Sequence, residues 1–381
     1  MHGWTLRKRI FAAVLAAVIV FSALSTGISA VSLKNQKYYL ALGDSITTGY
    51  IPGGEHLENT SFAALLSRQN GYIPVNKAVD GFTSADILSL IETGALDAEI
   101  EKAELITITC GGNDLLAFLG DSFTITLHEA WQGTAEGLNR IISLLGMDNH
   151  IPMITVPDNS RQYESSSGNK MTIGFMYVLF SSFIDGIDDS LAWVNREKKN
   201  APAWKQLLLR TYEDIAGSAL HKAESMLTDL TESEKFQMAL RAYTDHLNEM
   251  IEYIRDRNAH AQIVVLNQYN PYQWFDTPAT SILRDFFDKG IRQLNAVIIQ
   301  NAKSGRYRTA DVYTVFAGSE NCLSHAAAEP LELDVHPNAE GHARIAECLQ
   351  EVLDWQWQKN RTKQNTEQTI CHAAVCCTRN D

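Results

Sequence analysis

The chain is poor in cysteine, with six in 381 residues, and its body has no run of five or more basic residues. The cysteines are too sparse and uneven for a disulfide scaffold. Cys110 lies in an apolar, strand-like run and reads with Cys322 and Cys348 as a core or near-core thiol, whereas Cys371, Cys376 and Cys377 crowd the C-terminal end. No cysteine closely follows the N-terminal apolar segment, so a lipid-modified N-terminus has no support. Phosphate binding rests on clustered Lys and Arg; their absence and a formal net charge of −13 argue against a nucleic-acid partner. There is no internal repeat, no P-loop-type glycine-rich loop and no His/Glu zinc pattern, so no metal and no other cofactor is expected. A composition of 45% apolar and 20% charged residues excludes disordered, collagen-like and polytopic membrane chains and suits one large or two ordinary domains.

Arg7, Lys8 and Arg9 precede an uncharged stretch from Ile10 to Leu33, whose strongly apolar part ends at Leu24, short for a membrane span. With the small pair Ser29-Ala30 behind it, this reads as a signal peptide over residues 1–30, and the mature protein as secreted or extracytoplasmic. An uncleaved N-terminal anchor is the alternative. Cleavage removes three basic and no acidic residues and leaves the chain more acidic. Residues 358–381 are polar and read as a disordered, Cys-containing tail; Cys371-His372 with Cys376 and Cys377 matches no zinc spacing.

Between these ends, short apolar runs recur at Tyr38 to Leu42, Val75 to Val79, Leu105 to Cys110, Gln262 to Leu266 and Ala310 to Val315, mostly separated by helical stretches. That alternation predicts an α/β fold with a central parallel sheet. The clearest helical stripe is Phe236, Leu240, Tyr243, Leu247, Ile251 and Ile254. A closing helix follows Asn338, a plausible N-cap, with Ile345, Leu349, Val352 and Leu353 on one face. From about 115 to 234 the alternation breaks, which predicts a largely helical insertion in a domain of residues 31–357. Within it, Ile151 to Val156 reads as an extra strand, Glu164 to Lys170 as a polar loop and Phe175 to Phe183 as an apolar run. Trp193, Trp204 and Tyr212 suit either a helical cap over a site or ordinary helix packing.

The first apolar run leads into Gly43-Asp44-Ser45. A serine just past a buried strand stands where ligands bind in open α/β sheets, and a preceding glycine permits the tight turn. The same three residues are also an ordinary turn sequence. Three further segments change that balance: Asn76-Lys77-Ala78-Val79-Asp80-Gly81-Phe82-Thr83-Ser84, Gly111-Gly112-Asn113-Asp114, and Asp334-Val335-His336-Pro337-Asn338 followed by Gly341-His342. Together with Leu42 to Tyr50 they resemble, in order, the four motif blocks of the SGNH/GDSL hydrolases, serine esterases and lipases with a flavodoxin-like three-layer α/β/α fold. The resemblance covers residues 38–353 apart from the insertion.

The resemblance implies Ser45 as nucleophile, His336 as its base, and an oxyanion hole made by the backbone N–H groups of Ser45 and Gly81 and the amide of Asn113. The chemistry agrees, since a serine hydroxyl needs a base near neutrality and the oxyanion of ester cleavage needs aimed donors. One departure is visible: the family places Asp three residues before the histidine, but residue 333 is Leu, so Asp334, two before, is expected to orient His336, with Glu332 or a backbone carbonyl as alternatives. The α/β-hydrolase turn Gly-x-Ser-x-Gly is not matched, because Thr47 occupies its last position. The expected activity is hydrolysis of carboxylic esters through an acyl-enzyme, on a small ester, a lipid or an acylated glycan. An acyltransferase, an acetyl-esterase acting on cell-wall or plant polysaccharide, and a non-catalytic binding module are the alternatives. Association with a membrane or cell-wall surface stays open as a further partner.

Overall fold

The computed structural model describes residues 36–146, 186–328 and 331–354. The expected signal segment, the strand, loop and apolar run between Ile151 and Phe183, and the tail from residue 358 lie outside the described residues.

Strands of the main sheet and the longer helices are numbered in chain order. Strand β1 (Lys37–Leu42) is followed by helix α1 (Phe62–Asn70), β2 (Tyr72–Asn76), α2 (Ser84–Glu92), α3 (Asp97–Lys102) and β3 (Ala103–Ile108). Then come α4 (Gly112–Leu144), α5 (186–198), α6 (Ala203–Glu232), α7 (Glu234–Arg257) and β4 (Gln262–Leu266). The chain continues with α8 (Thr280–Ala302), β5 (Arg308–Ala310), α9 (Val312–Ala317) and α10 (339–354). All five strands pair in parallel, in the spatial order β2-β1-β3-β4-β5. This is the flavodoxin-like order, whose connections reverse direction between β1 and β3 and leave a crevice at the C-terminal ends of those strands.

The strands are apolar on both faces because helices cover both. Leu40, Leu42, Ile106, Ile108, Ile263 and Val265 pack with Ile87, Leu247, Ile254 and Ile298 on one side. Their alternating neighbours Tyr39, Ala41, Leu105, Val264 and Leu266 pack with Phe62, Phe316, Ile345, Leu349 and Leu353 on the other. These are the three α/β/α layers, and the stripes expected in α7 and α10 are the buried faces of those helices. Asn338 caps α10, its side chain accepting from the Gly341 N–H at 2.9 Å.

Two expected strands differ. The run Val75 to Val79 is mostly loop: β2 ends at Asn76, and the chain then gives only isolated hydrogen bonds to the β1 side, Lys77 N–H to Ala41 O at 2.9 Å and Val79 N–H to Gly43 O at 3.1 Å. The run Ala310 to Val315 contains only the last residue of β5. Asp311 caps α9 by accepting from the Thr314 N–H, and this cap outweighs the β-propensity of Val312, Thr314 and Val315.

The described part of the 115–234 region is helical. Long α4 and α6 pack against each other and, with α5, α7 and α8, enclose a separate apolar cluster that includes Leu138, Ile187, Val194, Leu209, Phe236 and Phe287. Ser233 ends α6 and caps α7. Tyr212 is fully buried in this cluster and Trp193 packs against it, whereas Trp204 is exposed. Ordinary packing therefore accounts for Tyr212 and Trp193. Cys110 and Cys348 are buried and Cys322 is half-buried, all as free thiols.

Candidate active site

The turn after β1 is built for one backbone path. Gly43 has φ +146°, and a Cβ there would lie 2.1 Å from Thr109 Oγ1 and 2.8 Å from the Thr109 carbonyl, so only glycine fits beside β3. Asp44 then caps the single helical turn Ser45–Thr48, its carboxylate accepting from the Ile46 N–H at 3.1 Å and from Thr109 Oγ1 at 2.8 Å. Burial pushes the Asp44 carboxyl above its usual range, against the lowering effect of Thr109, the Ile46 N–H and His336. Ser45 is the first residue of that turn, where a backbone N–H has no intrahelical acceptor and stays available to an anion.

Two of the other expected site residues, His336 and Asp334, meet at this point. His336 Nε2 is 2.8 Å from Ser45 Oγ, although 291 residues separate them. On its far side the His336 ring Nδ1 is 2.9 Å from Asp334 Oδ1, and the same oxygen accepts the His336 backbone N–H at 2.9 Å. That second bond is an Asx-turn, which folds the carboxylate back over the two-residue spacing and brings it to the imidazole. Burial alone would raise the Asp334 carboxyl, but its hydrogen bonds to His336 and the electrostatic pull of the His336 and His325 rings hold it below the usual carboxylate range. A carboxylate only accepts, so Nδ1 carries the proton and Nε2 accepts from the Ser45 hydroxyl.

Asn113 lines the same cleft as Ser45, and Gly81 lies in the loop that the Asn113 amide meets. Asn113 is the second residue of α4, in the turn that follows β3, and its Nδ2 donates to Phe82 O at 2.9 Å, which leaves the amide a second N–H. Gly81 has φ +80° in the same loop, with open space where a Cβ would be. The loop is held from both sides. Asp80 accepts from Thr48 Oγ1 at 2.6 Å and pairs with His56 Nε2 at 2.9 Å. Asp114 accepts from the Ser84 N–H at 2.9 Å and from the Ser84 hydroxyl, which also meets His246 Nδ1 at 3.0 Å.

Ser45 and Asn113 open into a cleft of about 510 Å³ including its mouth, walled mainly by Ile46, Leu115, Leu116, Phe287, Ile291 and Val335. A concave site with apolar walls and a few polar groups at one end is the usual form of a small-molecule site. Among the described residues, no group of three or more His, Cys, Asp or Glu side chains is placed to hold a metal ion.

The sequence profile of the GDSL-like lipase/acylhydrolase family matches residues 39–349. The chain belongs to that family. Its members' chemistry makes it a carboxylic ester hydrolase. No curated protein is significantly similar to it. Solved structures that resemble it include a lipase from a goat rumen metagenome, at 19% identity and TM-score 0.43 over 83% of this chain and 97% of that one. Others are an extracellular lipase from Streptomyces rimosus (17%, TM-score 0.42, 83% and 99%) and a phospholipase A1 from Streptomyces albidoflavus (16%, TM-score 0.42, 83% and 99%).

Several residues around this GDSL site were not singled out by sequence. The hydroxyl of Tyr269 donates to Val335 O at 2.6 Å and that of Tyr272 to Leu333 O at 2.9 Å, so two buried tyrosines just past β4 strap the segment carrying Asp334 and His336. Burial, with Asp334 nearby, raises both phenols and keeps them as donors. The Tyr50 ring lies against the His336 imidazole, centroids 4.4 Å apart. The signal for the tyrosines was their place, directly after a buried parallel strand at the edge where ligands bind.

Proposed function

We propose that Ser45, His336 and Asp334 form the catalytic relay of this ester hydrolase and that the Ser45 and Gly81 N–H groups with the Asn113 amide receive the oxyanion. His336 Nε2 takes the Ser45 proton as Oγ bonds to the acyl carbon, and returns it to the leaving alcohol as the C–O bond breaks. Asp334 holds the ring tautomer and supports the imidazolium that forms. Water, deprotonated by the same Nε2, then attacks the acyl carbon; the bond to Ser45 Oγ breaks, Nε2 returns the proton to that oxygen, and the acid leaves.

The observation that carries this reading is the continuous run of 2.8 Å from Ser45 Oγ to His336 and 2.9 Å from His336 to Asp334 at the rim of an apolar cleft. The apolar walls favour acyl chains longer than acetyl, and with them a lipase or medium-chain esterase over a polysaccharide deacetylase. We infer from the N-terminal segment that the enzyme is exported. A fluorophosphonate probe is expected to label Ser45 and to fail on Ser45→Ala and His336→Ala. Undiminished ester hydrolysis by Ser45→Ala would overturn the assignment. A p-nitrophenyl ester series is expected to peak above acetate; a peak at acetate would return the substrate to an acetylated glycan.

A further inference from the structure

Val79, Asp80 and Gly81 form the exposed apex of the loop beside the nucleophile turn, and nothing lies within 4 Å of where a Gly81 Cβ would be. Packing therefore does not hold this peptide. The Phe82 N–H to Val79 O bond, at 3.2 Å, closes a β-turn with Gly81 at its third position, where φ is +80°. The turn is anchored at its entry by the Val79 N–H on Gly43 O and at its exit by Phe82 O on the Asn113 amide. Between these points the tie is a side chain. One Asp80 oxygen accepts from Thr48 Oγ1 at 2.6 Å and the other from His56 Nε2 at 2.9 Å. Thr48 ends the helical turn that Ser45 begins, and His56 stands directly opposite Tyr50 in the short antiparallel ladder of Tyr50–Ile51 with Glu55–His56. The Tyr50 ring meets His56 edge-on at 5.8 Å between centroids and lies against the His336 ring at 4.4 Å.

We infer that Asp80 is a positioning residue of the oxyanion hole: held by Thr48 and His56, its carboxylate fixes the Gly81 N–H relative to Ser45. This rests on the proposed role of that N–H. Asp80 and Gly81 share one planar peptide unit, so holding the Asp80 side chain limits the swing of the N–H beside it. A glycine peptide without that hold has wide conformational freedom, and an oxyanion donor acts through being aimed beforehand. Losing Asp80 leaves the nucleophile turn its own bonds. The Thr48 hydroxyl has a second acceptor in Ser45 O at 3.0 Å, and the Gly49 N–H also meets Ser45 O. The Asp80–His56 pair is more than a third exposed on both sides, and such a pair adds little to global stability. Its effect falls on the site. Through Tyr50 the same ladder also touches His336, so the oxyanion loop and the base are registered on one support.

Asp80→Ala is expected to lower kcat for p-nitrophenyl octanoate about tenfold with KM nearly unchanged, less than the 10²–10³ for loss of a donor because the N–H is displaced and not removed. Asp80→Asn, whose carbonyl accepts from Thr48 while its amide meets the other His56 tautomer, is expected to return kcat close to the parent value. His56→Ala removes one of the two holds, costs less than Asp80→Ala, and costs nothing further on top of it, as expected for two residues acting through one contact. Inhibition by 1,1,1-trifluorodecan-2-one isolates the hole from any loss of folded protein. Ser45 Oγ bonds to its carbonyl carbon, His336 Nε2 takes the serine proton, and the carbonyl oxygen becomes the oxyanion. Its Ki is expected to rise in Asp80→Ala by the factor by which kcat/KM falls. Unchanged kcat and Ki in Asp80→Ala, or a rise in KM alone, would overturn the inference. Asn113→Ala in parallel separates the two assignments: a Ki raised there but not in Asp80→Ala removes only the role of Asp80, whereas a Ki unmoved in both removes the oxyanion hole itself.

Discussion

One oxygen of Asp334 accepts from both N–H groups of His336, the ring Nδ1 and the backbone nitrogen, each at 2.9 Å. An amide in its place keeps the backbone bond through its carbonyl oxygen but carries no charge to support the imidazolium. Asp334→Asn is therefore expected to stay folded and to lose kcat by up to about 10⁴-fold, the scale of such a change in a serine triad. Steady-state kinetics beside a far-UV circular dichroism spectrum check this; near-normal kcat would make Asp334 a structural residue of the turn only.

Asn113 has one amide N–H on Phe82 O and a second free to meet an oxyanion. Asn113→Ala is expected to lower kcat by about 10²–10³ with little change in KM, since the donor acts where charge develops. A rise in KM with kcat intact would place the amide in ground-state binding instead.

His342 is fully buried on α10, stacks on Phe62 and accepts the Phe62 N–H at Nδ1 over 3.3 Å. Burial, aided by His336 and His325, pushes its ring down to about 4 from the usual 6.5. Its folded value is depressed, so the unfolded chain binds more protons between those limits; the stability from the neutral ring is present above about 6.5 and is lost as pH falls toward about 4. The loss is on the order of 3 kcal/mol. Thermal melts across that range are expected to show a falling Tm, and a shallower fall in His342→Gln. Parallel slopes in the two proteins would contradict this.

Tyr269 donates to Val335 O from the core, one residue from His336. Tyr269→Phe leaves that carbonyl short of a donor, which costs about 1–3 kcal/mol where the group is buried. Lower Tm and a fall in kcat larger than any change in KM are expected, because the strap positions His336. A variant with reduced Tm and unchanged kcat would confine the tyrosine to stability.

Gly43→Ala places a methyl where Thr109 Oγ1 and the Thr109 carbonyl already stand, at a φ that side chains rarely adopt. Backbone strain alone is about 1–3 kcal/mol. The variant is expected to be markedly destabilised in urea titration and inactive; wild-type stability would mean that the turn relaxes without β3.

The layers and much of the site were legible because their signals are local. Continuous apolar runs fit strands covered on both faces, and the four motif blocks sit where those strands end. The runs at Val75 and Ala310 misled for an equally local reason: β-branched residues suit a strand until a cap competes, and the Asp311 carboxylate on the Thr314 N–H was the stronger term. The spacing of Asp334 looked unfavourable because sequence counts residues, whereas an Asx-turn shortens the path in space.

By itself, then, the sequence determined the alternation of strand and helix, the four motif blocks that mark the candidate site, and the glycine that permits the turn at position 43. Only the tertiary structure decided which tyrosines strap the histidine segment, that the Tyr50 ring lies against the His336 imidazole, and that Ser45 and Asn113 line one cleft. Those relationships join residues from different helices and strands, and side chains far apart in the chain acquire neighbours only when the sheet order and helix packing bring their elements together.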